Sequence, residues 1–175
     1  IVSTAAECKR FHKKNPCADS LRVYNYGMRK RNMEQKQGAY TMSTRALGAY
    51  FIKWGNAHHN PYDTAFGKWL LTFGGLKLVV FNGKTAPNRG VIFEGIVKSL
   101  LGVGNASDTS HSIDIPQYGY EVKFISPKSK ASSCGCHEGT KAVIVGVCNR
   151  DGVKILKVSV KAWESGNIEG EEFRA

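Results

Sequence analysis

Ser112-Ile113-Asp114-Ile115-Pro116-Gln117-Tyr118-Gly119-Tyr120-Glu121-Val122-Lys123-Phe124 is the stretch on which the fold turns. Apolar and polar residues alternate on both sides of Pro116-Gln117, which predicts two short strands, His111 to Ile115 and Tyr118 to Ile125. Alternate side chains of a strand share a face. Glu121 and Lys123 therefore project together, and Tyr120, Val122 and Phe124 point the other way into a core. Asp114, between Ile113 and Ile115, takes the polar face of its own strand. If the strands pair around the turn, both carboxylates and the ammonium meet at one end of a sheet.

Working outward, the segment just upstream is helical. Apolar residues at 92, 93, 96, 97, 100 and 101 recur at helical spacing from Val91 to Leu101, and Gly102 and Gly104 follow as a stop. Downstream, a Ser-, Gly- and Cys-rich stretch spans 126–140. Ala142 to Val147 and Val153 to Val160 then predict a hairpin turning at Asn149-Arg150-Asp151-Gly152. Further upstream, Asn60-Pro61-Tyr62-Asp63 opens a helix that runs to Phe73 and ends at Gly74-Gly75. Leu76 to Phe81 reads as a strand closed by Asn82-Gly83. Residues 40–54 mix helix formers with aromatics, and Tyr50, Phe51 and Trp54 suit a single packed patch. The tail from Glu164 is acidic and expected to fray. These elements make an α/β sandwich with a mixed or antiparallel sheet.

Two carboxylates a few ångströms apart repel each other unless a cation lies between them, and hard oxygen ligands suit Mg²⁺. A neighbouring lysine can hold a water and stabilise charge on a phosphate. Those parts suffice for metal-assisted phosphodiester hydrolysis. Glu-x-Lys alone carries little weight, since it also occurs at Glu7-Cys8-Lys9 and Glu34-Gln35-Lys36. Only the third copy has a strand setting, a preceding Asp and an upstream helical Glu.

Asp114, six residues, then Glu121-Val122-Lys123 resembles the PD-(D/E)xK motif of the restriction-endonuclease-like nuclease superfamily. There an Asp begins one strand of a hairpin, (D/E)xK lies on the next, and many members carry a Glu on the preceding helix. Asn88 to Val97 is similar to that helix, with Glu94 in the matching place. The resemblance covers about residues 88–125 and departs from the motif where Ile113 replaces proline. It also departs at 126–140, where a crossover helix is not evident. It implies a restriction-endonuclease-like core with a mixed β-sheet flanked by helices. It further implies Asp114 and Glu121 as Mg²⁺ ligands, Glu94 as a further ligand directly or through water, and Lys123 as the residue that orients the attacking water.

Charge and composition set the partners. Twenty-five Lys and Arg against fourteen Asp and Glu give +11, and residues 1–53 hold eleven basic and three acidic residues. Such a basic half concentrates polyanions, nucleic acid foremost. Arg29, Lys30 and Arg31 are the densest cluster, and Lys128 and Lys130 lie just past the candidate site as further phosphate contacts. The length of 175 residues, 42% of them hydrophobic, suits one globular domain. Within it, 1–75 reads as a basic, helix-containing nucleic-acid-binding part, 76–163 as the nuclease-like α/β core and 164–175 as the acidic tail.

The longest apolar runs fall far short of the roughly 18 residues of a membrane span. Five cysteines without a visible signal peptide point to reduced thiols in the cytoplasm, or more broadly inside a cell, a viral or phage source included. Cys134, Cys136, His137 and Cys148 make a weak zinc set, because one residue separates the first pair where two to four are usual. Gly83-Lys84-Thr85 lacks the upstream Gly of a P-loop, since position 78 is Leu. His58-His59-Asn60 reads as the turn before Pro61.

The resulting expectation is a Mg²⁺-dependent endodeoxyribonuclease acting on double-stranded DNA, a monomer or a two-fold homodimer on a symmetric duplex. The alternatives are a non-catalytic basic nucleic-acid-binding or viral structural protein, and a ribonuclease using the same metal site.

Overall fold

The computed structural model describes residues 39–81, 88–104, 112–126 and 135–174. The chain divides after Gly38, and the unit Ala39–Ala175 holds every element below. Arg29, Lys30, Arg31, Gly83-Lys84-Thr85, His111, Lys128, Lys130 and Cys134 lie outside the described residues.

Strand β1 (Ala39–Ser43) leads into helix α1 (Thr44–Ala57), and helix α2 (Pro61–Leu71) precedes strand β2 (Lys77–Phe81). β1 and β2 pair antiparallel. β1 was not legible beside the helical pattern that follows it. Its partner strand, more than thirty residues downstream, supplies the ladder hydrogen bonds that define it. Each helix start has a local cause: the Ser43 hydroxyl accepts from the Ala46 N–H, and the Asn60 amide oxygen accepts from the Tyr62 and Asp63 N–H groups. The turn before Pro61 is thus an N-cap, as its sequence indicates. α1 and α2 cross closely because Gly48 and Gly67 face each other; a Cβ on either would sit 2.7 Å from the other's carbonyl oxygen.

Helix α3 (Arg89–Leu100) is capped by Asn88, whose side chain accepts from the Gly90 N–H. Strands β3 (Tyr120–Ile125), β4 (Ala142–Cys148), β5 (Val153–Ser159) and β6 (Glu171–Glu172) form a four-stranded mixed sheet in that order, and short helix α4 (Val160–Glu164) follows β5. β3 and β4 are parallel; the other pairs are antiparallel. The β4–β5 hairpin matches its expected bounds closely.

Two expectations need correcting. The segment before β3 is no strand among the described residues: only Ile115 bridges to Tyr120, across the turn Pro116–Gly119, where Gly119 has φ 70°. Pro116 removes a donor and Gly119 turns the chain back at once, so pairing stops after one bridge. The acidic tail does not simply fray. Glu171 and Glu172 pair with Lys157 and Leu156, and Phe173 packs into the core and donates its N–H to the Ile155 carbonyl. Tyr50, Phe51 and Trp54 do pack together as expected, Tyr50 meeting Phe51 edge-on at 5.4 Å and Trp54 nearly parallel at 6.4 Å, with Phe51 buried and Trp54 at the exposed end.

The core has three parts. Leu47, Phe51, Phe66, Leu70, Leu78, Val80, Ile92, Ile96 and Cys148 join α1, α2, β2, α3 and β4, so packing runs continuously across position 75. Phe93 and Val97 of α3 lie on one face of the sheet against Val122 and Ile144. Gly146 makes room for this, since a Cβ there would sit 2.7 Å from the Phe93 ring. On the other face Trp163 of α4 covers Ile125, Val143, Val145 and Val158. No helix among the described residues is long and apolar enough to cross a membrane.

Candidate active site

β3 is an edge strand of the sheet, so some of its N–H groups point away from β4. The Asp114 carboxylate fills one such position: its Oδ2 accepts from the Val122 N–H at 2.7 Å. The one-bridge turn brings this about, since it folds residues 112–115 back along the outer edge of β3. Asp114 therefore reaches the place expected of it from a turn rather than from a strand.

Glu121 and Lys123 do share a face, as strand alternation requires. That face is covered rather than open. Val143 and Val145 stand beside Glu121 and Lys123 in the β3–β4 register, and the Trp163 cluster lies over them. Glu121 is fully buried. A buried carboxylate needs partners for both oxygens, and Glu121 has them. Lys123 Nζ donates to Oε2 at 2.9 Å, while the His137 N–H reaches Oε1 at 3.3 Å and the His137 ring nitrogen Nδ1 also contacts Oε1. Lys123 Nζ lies 4.0 Å from Asp114 Oδ2, so one ammonium stands between two carboxylates.

The two acids are held in opposite ways. Burial pushes the Asp114 carboxyl up, and the charges of Glu94 and Glu121 add to this; the Val122 N–H and Lys123 oppose it, and the balance is about 6. Burial also pushes Glu121 up, but its hydrogen bonds with His137 and Lys123 outweigh that and hold it at about 2. One carboxyl is thus destabilised as an anion near neutral pH and its neighbour is firmly ionised.

Glu94 belongs to the surroundings of this cluster. Its carboxylate accepts from Lys98 Nζ at 2.6 Å, in an i,i+4 pair with both side chains largely buried, and its charge acts on Asp114. Among the described residues no three His, Cys, Asp or Glu side chains gather as a ready metal cage. Of the four predicted site residues, then, Asp114, Glu121 and Lys123 meet, and Glu94 adds field without a described contact to them.

His137 is the participant that sequence reasoning missed, having weighed it as a zinc ligand. It is fixed by a turn in which Thr140 N–H and Oγ1–H both bond to its carbonyl and Gly139 has φ 86°. Nothing in a sixteen-residue separation from Glu121 signals that contact. The thiols are set for packing rather than chemistry. Cys148 is buried in the α1–α2–α3 core, donates to the Tyr62 carbonyl and is pushed up to about 11 by burial. Cys136 borders the Trp163 cluster, and its thiol is raised by burial and by Glu121 and Glu164. Cys136 and Cys148 therefore sit in different parts of the core.

No family model matches the sequence, no curated protein is found similar to it, and no solved structure matches its fold.

Proposed function

We propose that this protein is a Mg²⁺-dependent endonuclease that hydrolyses phosphodiester bonds of DNA, on a restriction-endonuclease-like core. The observation that carries the reading is the meeting of Asp114, Glu121 and Lys123 at the outer edge of β3. The donor set fits a hard divalent cation. Asp114 resists ionisation partly because Glu94 and Glu121 crowd it with negative charge, which a cation would relieve. Mg²⁺ commonly takes only one or two protein carboxylates and completes its shell with water and phosphate oxygens.

Asp114 and Glu121 would hold the ion. Bound there, it would polarise the scissile phosphate and ease ionisation of water. The chain's own groups do the rest. His137 keeps Glu121 in one orientation through Oε1. Lys123, whose ammonium lies between the two carboxylates, would place its positive charge beside the phosphate or the incoming water and stabilise the transition state. The Glu94–Lys98 pair keeps a further negative charge beside Asp114. The basic half of the chain, with Arg29, Lys30 and Arg31, supplies affinity for the polyanion.

Nicking of supercoiled plasmid in Mg²⁺ tests this, with the native chain compared with Asp114→Asn and Glu121→Gln and with RNA as a parallel substrate. The native chain should cut DNA and each variant should lose activity on the order of 10²-fold or more. Equal cutting by all three, or none by any, overturns the proposal; preferential RNA cutting makes the enzyme a ribonuclease. A second reading, a non-catalytic nucleic-acid-binding or viral structural protein, is favoured by the closed pairing of Glu121 with His137 and Lys123. Binding without metal-dependent cutting would establish it.

A further inference from the structure

Hydrolysis of a phosphodiester takes a proton from the attacking water, and a nearby group must accept it. Few groups in the cluster at β3 can. Lys123 is an ammonium, which donates and has no lone pair, and its Nζ already lies 2.9 Å from Glu121 Oε2. Glu94 is paired with Lys98 at 2.6 Å. Asp114 and Glu121 are the carboxylates assigned to the ion. His137 remains.

The surroundings of His137 fix which ring nitrogen is available. The Glu121 carboxylate can only accept, and it takes Lys123 at Oε2 and the His137 backbone N–H at Oε1. The ring nitrogen Nδ1 that contacts Oε1 therefore carries a hydrogen. In a neutral imidazole the lone pair then belongs to Nε2, on the edge of the ring turned away from Glu121. Side-chain exposure rises from 0% at Glu121 through 22% at Asp114 and 23% at Lys123 to 43% at His137, so the imidazole is the member of the cluster most open to water. The turn closed by Thr140 holds the main chain beneath it. A carboxylate behind an imidazole keeps it in one tautomer and stabilises the imidazolium formed when the far nitrogen takes a proton.

We infer that His137 is the general base of this site, its Nε2 accepting the proton of the water that attacks the phosphodiester. This rests on the endonuclease reading above. In the step, an O–H bond of water breaks and its proton goes to Nε2. The water oxygen forms a bond to phosphorus, and the bond from phosphorus to the leaving oxygen breaks with its electron pair. That oxygen takes a proton from solvent and the imidazolium returns one to solvent, so the net change is the consumption of one water.

His137→Asn separates this role from that of holding Glu121, because the Asn amide N–H can stand where Nδ1 does while nothing replaces Nε2. In plasmid nicking with Mg²⁺ by the full chain, His137→Asn should lose activity by about 10²–10⁴-fold. It should keep the native Tm and the rise in Tm on adding Mg²⁺. His137→Gly should be impaired as much and should regain activity as free imidazole is added, compared with sodium chloride at equal ionic strength. Thermal unfolding checks that both variants fold, and the Asn comparison decides alone if the Gly variant does not. Native-level cutting by His137→Asn, or no gain from imidazole in a folded His137→Gly, overturns the base role and leaves the endonuclease reading standing. Loss of the Mg²⁺-induced rise in His137→Asn makes His137 a support of the ion and also overturns it. Absence of cutting by the native chain overturns both.

Discussion

Replacing Asp114 by Asn should change how stability depends on pH, and the direction follows from the site. In the fold Asp114 titrates near 6, against an ordinary value of 3.8. Between those values the unfolded chain has released this proton and the folded chain keeps it, so stability falls as pH rises through the interval and is level above it. About two units correspond to ~3 kcal/mol at 1.36 kcal/mol per unit. Glu121 acts in the opposite sense. Its value of about 2 lies below the ordinary 4.5, so its stabilisation is complete above 4.5 and is lost as pH falls through 2. Taken together, these two groups favour the metal-free fold most near pH 4. Asn can still accept from the Val122 N–H but does not titrate. Urea unfolding in EDTA at half-unit steps from pH 3.5 to 7 gives the difference between native chain and Asp114→Asn. That difference should shift in favour of the variant by about 2.4 kcal/mol between pH 4 and 7, nearly complete by about pH 6.5. A difference that stays flat, or shifts toward the native chain, refutes the account of Asp114 as a buried carboxyl crowded by Glu94 and Glu121.

The same cluster predicts a response to Mg²⁺: at pH 7 a concentration one hundred times Kd should stabilise the native chain by about 2.7 kcal/mol, read as a rise in Tm, and Asp114→Asn should lose most of that rise. His137→Ala leaves Oε1 of the buried Glu121 short of its ring partner and should cost about 1–3 kcal/mol, with the acid limb of the stability curve moving to higher pH. An unchanged acid limb would show that His137 does not hold Glu121. Gly146→Ala would place a methyl 2.7 Å from the Phe93 ring and 2.8 Å from that of Phe124, and should lower stability by about 1–3 kcal/mol in urea unfolding.

Much of the architecture follows from short-range chemistry. Asn60 before Pro61, the apolar spacing of 92, 93, 96 and 97, and the Asn149-Arg150-Asp151-Gly152 turn each act within a few residues, so α2, α3 and the β4–β5 hairpin could be read directly. The sharing of one face by Glu121 and Lys123 is likewise a property of any extended strand. The alternation that placed those two also suggested a strand around Asp114, and there Pro116 and Gly119 cut the pairing to one bridge.

Everything that depends on distant partners was settled only on folding. β1 exists because β2 lies beside it, and β6 because the Lys157 strand can take Glu171 and Glu172. The parallel β3–β4 pair joins strands separated by residues 126–141, a closure no local pattern encodes. The covering of the Glu121 face by Trp163 and the arrival of His137 are of the same kind. A sequence dictates the conformations of neighbouring residues through sterics and local hydrogen bonds, which act over a turn or two. Burial, and with it the opposed titration of Asp114 and Glu121, depends on which remote surfaces exclude water, and only the assembled chain decides that.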